Sequence, residues 1–316
     1  MQIMSSLTIR LLGPFRIWRD DQLIPPEAWP TQKTKSLLKI LITERGHLVP
    51  KERLMELLWD GLAPTSAGNS LRVGISHLRQ MLEPELERPA DSTFILTRSQ
   101  GYYFQVRPDC WLDLDAFWVA VARGQHWAQR RRWGAAIAAF RTAEDLYHGD
   151  YLEEDPYEDW AIRVRERTRQ AYLDILGQLA ECQARLGGYH QAVATCEKVL
   201  VRDPVRESTY RQLMVYQYRL GRRGQALGAY ERCRKVLLEQ LGVTPMSQTQ
   251  ALHTAILREE PLEEPLHFQR PPASIETSPQ SLPARLPFVG RDHEMDWLQD
   301  HLAAAMSGRG RLVLIR

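Results

Sequence analysis

A repeat of 34 residues constrains this chain more than any other feature. Leu186-Gly187-Gly188-Tyr189, followed by Ala192, recurs as Leu220-Gly221-Arg222-Arg223, followed by Ala226, and Glu197 recurs as Glu231. An earlier, degenerate copy has Trp133 in the place of Tyr189 and Ala136 in the place of Ala192. A repeat of this length is a helix pair that cannot bury its apolar face alone, so successive pairs must stack. The small residues then belong where helices cross closely. The pattern stays helical from residue 113 to residue 258, with Asp203-Pro204 and Thr244-Pro245 as punctuation.

This period is that of tetratricopeptide repeats, so residues 109–258 are expected to form an all-α stack of that kind. The chain before them reads differently. Residues 7–12 and 15–18 are short apolar runs separated by Gly13-Pro14, a turn signal. Thr31 can cap a helix with Leu37, Leu38, Leu41 and Ile42 on one face. A second short helix fits residues 50–59, with Pro50 tolerated in its first turn and Leu54, Leu57 and Leu58 inward. A third fits residues 66–82. Two β-rich runs, 93–97 and 102–106, follow it, joined by Arg98-Ser99-Gln100-Gly101. That is a hairpin, with Gly101 expected where a positive φ is easiest.

The fold class expected is therefore mainly α. An N-terminal winged helix-turn-helix (α+β) occupies residues 1–108 and an all-α tetratricopeptide-like domain residues 109–258. Seven prolines between residues 261 and 287 mark 259–287 as a linker. Residues 288–316 end in the buried-strand pattern Leu312-Val313-Leu314-Ile315.

Composition excludes little. A net charge of +2 does not announce a polyanion partner, although one local patch can still bind one. Cys110, Cys182, Cys196 and Cys233 lack any framework spacing and read as reduced thiols. The first eighteen residues lack a cleavage pattern, and no stretch approaches the ~18 apolar residues of a membrane span. A cytoplasmic protein without membrane contact is expected. The scattered histidines form no H-x-x-x-H, so no metal site is expected. The acidic set Asp150, Glu153, Glu154, Asp155, Glu158 and Asp159 lacks calcium-loop spacing and reads as a solvated interhelix loop, or else a protein-contact surface. Arg163, Arg165, Arg167 and Arg169 read as helix surface charge facing nearby acids.

The third helix carries the functional signal. Leu71, Ile75, Leu78 and Leu82 form one core-facing stripe. The opposite face holds Asn69, Val73, Ser76, His77 and Gln80, flanked by Arg72 and Arg79. Between Leu62 and Leu82 there are two arginines and no acid. Arginine can pair bidentately with guanine, asparagine and glutamine with adenine, and valine can touch a thymine methyl. Such a helix alone is equally a solvated amphipathic surface. The hairpin behind it favours a helix for the major groove and a wing for backbone or minor groove.

The run Ser70-Leu71-Arg72-Val73-Gly74-Ile75-Ser76-His77-Leu78-Arg79-Gln80, with Gly101-Tyr102, resembles the effector domain of OmpR/PhoB-type response regulators. Several further motifs resemble the bacterial transcriptional activator domain. They are Asp113-Leu114-Asp115-Ala116-Phe117, Asp203-Pro204-Val205-Arg206-Glu207, Tyr210-Arg211-Gln212-Leu213-Met214 and Leu241-Gly242-Val243-Thr244-Pro245. The pair together resembles a SARP-type (Streptomyces antibiotic regulatory protein) activator over residues 7–258. The resemblance implies that Val73, His77 and Arg79 face bases, with Arg72, Ser76 and Gln80 beside them. His77 stands where an arginine is frequent. The wing tip would be Arg98 and Ser99, and Lys33 would touch phosphate. The loop Asp60-Gly61-Leu62-Ala63-Pro64-Thr65 would face RNA polymerase. Implied partners are double-stranded promoter DNA, RNA polymerase through sigma region 4 and other subunits, and a second copy on repeated sites.

Leu286-Pro287-Phe288-Val289-Gly290-Arg291 with Glu294 is similar to the entry of an AAA/STAND-type ATPase domain. No G-x-x-x-x-G-K-[ST] loop follows within residues 288–316, so ATP is expected only for a downstream module and no cofactor or catalysis for these residues. Two rival classes remain at this point: a signalling ATPase whose N-terminal part is an adaptor, and a repeat scaffold without DNA function.

Overall fold

Alternating apolar and polar residues set the first strands. In β1 (Leu7–Arg10), Leu7 and Ile9 are buried while Thr8 and Arg10 are partly exposed, and β2 (Arg16–Arg19) pairs antiparallel with it, Ile9 opposite Ile17. The computed structural model describes residues 6–262, all within one compact unit. The tail at 288–316 and the linker from residue 263 onward lie outside the described residues. A two-residue strand, β3 (Gln22–Leu23), extends the sheet beyond β2.

Helix α1 (Gln32–Thr43) starts where expected, because the Thr31 side chain accepts from the Thr34 amide. Strand β4 (Val49–Pro50) leads into α2 (Lys51–Trp59). Helix α3 spans Pro64–Leu82 and so begins before residue 66, with Pro64 in its first turn. The expected six-residue loop is therefore shorter: Pro64 and Thr65 are helical. The hairpin is β5 (Ile95–Arg98) and β6 (Gly101–Phe104), and β4 pairs with β6 to make a three-stranded sheet.

Gly101 serves a different purpose from the one expected. It is not among the positive-φ residues. A Cβ there would stand 2.2 Å from the Val49 carbonyl oxygen, so the glycine permits β4 to approach the wing.

Strand β7 (Cys110–Leu112) runs parallel to β1 and closes a four-stranded sheet of order β3-β2-β1-β7. It leads directly into the helices, which follow as α4 (Asp113–Gln129), α5 (Trp133–Leu146), α6 (Asp159–Arg185), α7 (Tyr189–Arg202), α8 (Glu207–Arg219), α9 (Arg223–Leu241) and α10 (Ser247–Leu257). Each packs on the next. Ala136, Ala192 and Ala226 are fully buried, as close helix crossings require. Gly187 and Gly221 turn with φ of +80° and +73°. In the degenerate copy Arg131 takes the same left-handed turn, with φ +58°. All four cysteines are free and buried, and burial pushes the Cys110 and Cys182 thiols up to about 12.

One apolar core runs from Leu7 through the head helices into α4, α5 and α6, and a second fills the later repeats. The joint is also polar. The Asp113 carboxylate, 1% exposed, accepts from the amides of Leu11, Leu12 and Leu114 at 2.7–2.9 Å. Leu12 bridges to Tyr151, and the Leu152 amide donates to the Leu11 carbonyl at 2.8 Å.

The acidic stretch after α5 is solvated only in part: Glu153, Glu154 and Asp159 are exposed, but Asp155 is buried. Lys39 of α1 is fully buried and bonds Asp155, also buried, while Glu154 accepts from Lys35 at 2.8 Å and from Lys39 at 3.4 Å. The Tyr151 hydroxyl lies 2.6 Å from that of Thr43. Arg165 serves the same loop by donating to the carbonyls of Tyr151, Pro156 and Asp155 at 2.6–3.0 Å. Of Arg163, Arg165, Arg167 and Arg169, only Arg169 meets an acid among the described residues, Glu166 at 4.0 Å, and it also donates to the Arg202 carbonyl, while Arg167 lies over Trp118.

Candidate nucleic-acid interface

Helix α3 is amphipathic, and its apolar stripe of Ala67, Leu71, Ile75, Leu78 and Leu82 is buried. Gly74 sits in the crossing with α1, where an added Cβ would meet Leu37 at 3.1 Å. An isolated glycine inside a helical pattern is the signal that could have marked this close approach. The opposite face is exposed at Asn69, Arg72, Val73, His77 and Gln80. Val73 is 54% exposed and so leaves an apolar group on this face.

The helical stripe Arg72–Ser76–Arg79 runs under the wing. Arg72 is exposed, Ser76 half-buried and Arg79 only 7% exposed. Arg79 therefore does not face bases as expected. Its Nε and Nη2 donate to the Ile95 carbonyl at 3.0 and 2.7 Å, and Nη2 also donates to Thr97 Oγ1 at 2.7 Å. Burial lowers its pKa from the ordinary value, against the opposing pull of Tyr102 and Glu83. It fastens β5 to α3.

A second tie was not visible in the sequence pattern. Glu83, just past α3, is buried and accepts from the Ser92 hydroxyl and from the Thr93 amide and hydroxyl. The Lys51 amide donates to the Gln100 carbonyl at 3.0 Å, which holds the wing turn against the start of α2. Arg98 and Ser99 are left exposed at the wing tip. Lys33 is exposed near the start of α1, its ammonium 5.9 Å from the Trp59 ring centre. The loop residues Asp60, Gly61, Leu62 and Ala63 are exposed, as are Pro64 and Thr65 in the first turn of α3.

Partners within the chain are sparse on this surface. Arg72 reaches Asn69 and the Gly68 carbonyl, and Gln80 donates to the Pro84 carbonyl at 3.0 Å. Among the described residues, the side chains of Ser76, His77, Arg98 and Ser99 make no hydrogen bond or ion pair with the protein. The surface is a row of donors beside one apolar group, held rigidly by buried ties and offering nothing acidic. Among the described residues no three His, Cys, Asp or Glu side chains converge as metal ligands, and no helix is long and apolar enough to cross a membrane.

A winged helix fused to stacked helical pairs is the architecture of a transcriptional regulator, and comparison with known proteins agrees. Residues 27–104 match the model of the transcriptional regulatory protein C-terminal domain, and residues 112–257 that of the bacterial transcriptional activator domain. Regulatory protein DnrI of Streptomyces peucetius is 30% identical over 260 residues, which cover 81% of this chain and 93% of DnrI. Regulatory protein AfsR of Streptomyces coelicolor is 29% identical over 98% of this chain, which spans only 30% of that protein. The structure of Mycobacterium tuberculosis EmbR in complex with a low affinity phosphopeptide superposes with a TM-score of 0.72 at 26% identity, covering 82% of this chain and 67% of that one. The chain belongs to the SARP family of transcriptional regulators.

Proposed function

We propose that this chain binds double-stranded promoter DNA sequence-specifically and recruits RNA polymerase. The observation that carries the reading is the exposed, acid-free face of α3, whose donors the protein leaves largely unused. An α-helix fits the major groove, where Asn69 and Gln80 suit adenine, Arg72 suits guanine and Val73 suits a thymine methyl. His77 sits between them as a further donor. Arg98, Ser99 and Lys33 are assigned to the sugar-phosphate backbone, which positions the helix without reading sequence. Two copies on repeated sites would double this modest set of contacts.

The exposed Asp60–Ala63 loop, with Pro64 and Thr65 beside it, is the surface we assign to polymerase, through sigma region 4. The chain performs no catalysis in this reading and needs no cofactor. ATP enters only with a nucleotide-binding module that residues 288–316 would begin.

Titration of promoter fragments at two salt concentrations tests the DNA assignment. Specific binding should weaken as salt rises, because phosphate contacts release counterions. Equal affinity for operator and scrambled duplexes at both salts would overturn it, and would favour an adaptor role. For the loop, Leu62→Asp should abolish transcription activation while operator affinity stays unchanged.

A further inference from the structure

We infer that the α4–α5 hairpin is a docking surface for an acidic segment of a protein partner, separate from the DNA face. From Ala116 to Ala143 the sequence holds five arginines, Arg123, Arg130, Arg131, Arg132 and Arg141, and no acid. The hairpin alone is thus more basic than the whole chain, whose net charge is +2. All five are exposed. Among the described residues, the side chains of Arg123, Arg131, Arg132 and Arg141 make no hydrogen bond or ion pair. Several arginines elsewhere in the repeats are used, Arg206 pairing with Asp174 and Arg232 with Glu197, although the exposed Arg163 is not.

The backbone supplies an independent reason. Arg131 occupies the left-handed turn that the two later repeats give to Gly187 and Gly221. Left-handed backbone costs a residue with a Cβ about 1–2 kcal/mol, and it is glycine that takes it freely. The arginine brings no compensating contact within the protein, so its side chain is kept for something outside it. Non-glycine residues held in such regions concentrate at functional sites.

The packing order points to protein rather than operator DNA. Helix α3 packs on α1 and α2, whereas α4 packs on β1, β7, α5 and α6. The arginine hairpin and the DNA face thus rest on different sets of elements and share none of these neighbours. The turn also lies a whole helix away from Asp113, about 25 Å for the 17 residues of α4. Guanidinium groups pair bidentately with carboxylates, which fits an aspartate- and glutamate-rich strand or helix edge.

A fluorescein-labelled deca-glutamate peptide, titrated into the full chain at low salt, tests the proposal. The variant Arg123→Gln/Arg131→Gly/Arg132→Gln/Arg141→Gln should lose at least tenfold in peptide affinity and keep its operator affinity. Arg131→Gly alone should weaken the peptide at least twofold while the melting temperature stays at or above that of the native chain. Unchanged peptide binding by the fourfold variant overturns the proposal. So does a fall in operator affinity with intact peptide binding, which would assign the arginines to DNA. Cross-linking of the bound peptide to α8–α10 instead of α4–α5 would overturn it as well.

Discussion

The outer face of α3 and the joint between head and repeats hold similar residues and treat them in opposite ways. At the joint, Lys39, Asp155, Asp113 and Arg165 are satisfied by the chain itself, Lys39–Asp155 and Leu11–Asp113 across more than 100 residues. On α3, Ser76, His77 and the wing's Arg98 are left open to solvent. Buried polar groups must be paired because an unpaired one is costly. Exposed donors carry no such demand and are free to meet a ligand. Saturation marks structure here, and its absence marks the binding face.

The largest effect that could break this contrast lies at Lys39. Removing one partner of a buried ion pair costs about 3–5 kcal/mol, because the other charge is stranded. Lys39→Met should therefore destabilise the whole unit to that degree, read as a shift in urea midpoint. Lys39→Met/Asp155→Leu should recover much of the loss, since an apolar pair of similar volume needs no partner. A single variant as stable as the native chain would show that Asp155 is solvated, and the joint would not differ from the surface.

Arg79 and Arg72 sharpen the comparison because they lie on one stripe of the same helix. Arg79→Ala leaves the Ile95 carbonyl and Thr97 without their donor, a loss of about 1–3 kcal/mol for buried polar groups. It should lower stability and weaken all DNA sequences alike, since the wing loses its anchor. Arg72→Ala should leave stability unchanged and weaken the operator by about 1–3 kcal/mol, relaxing preference at one base position. Thermal melts beside binding to operator and scrambled duplexes separate the two. If Arg79→Ala relaxes a single base preference without loss of stability, the buried placement is wrong.

Arg79 also shows where sequence reading stops. Periodicity gave the stripe on which it lies, and composition gave its charge, but neither says which end of the stripe a distant hairpin covers. Its partners, Ile95 and Thr97, lie 16 and 18 residues on. The acidic loop failed for the same reason at larger range, because Asp155 meets Lys39 across 116 residues. Strands β3, β4 and β7 are two or three residues long, too short for any alternation to show. What was legible is local: the Thr31 cap, the Leu71–Leu82 stripe, the buried alanines of the repeat and the hairpin turn. Gly101 lies at the hairpin turn that its neighbours mark, but what requires a glycine there is the close approach of Val49, which the hairpin's own residues do not reveal.

The smallest effect tests the joint at its rim. Burial alone would raise the Glu154 carboxyl, but the hydrogen bond from Lys35 and the charges of Lys39 and Lys35 hold it below its ordinary 4.5. A carboxylate with a depressed folded pKa contributes stability above its unfolded value, and loses it as pH falls through the folded value. Glu154 is 38% exposed, so solvent screens the pair and the contribution should stay under about 1 kcal/mol. Asp113 acts with the opposite sign. Burial raises it despite three backbone donors, so its contribution is greatest in acid and falls as pH rises through the folded value. A bare pH–stability curve mixes the two, whereas the difference between the native chain and Glu154→Gln isolates the rim. That difference should be small at neutral pH and close as the pH falls through the depressed folded value, below which the carboxylate is protonated in both states. A gap that persists or widens in acid would mean that the amide substitution disturbs packing rather than charge, and the rim would then belong with the saturated core of the joint.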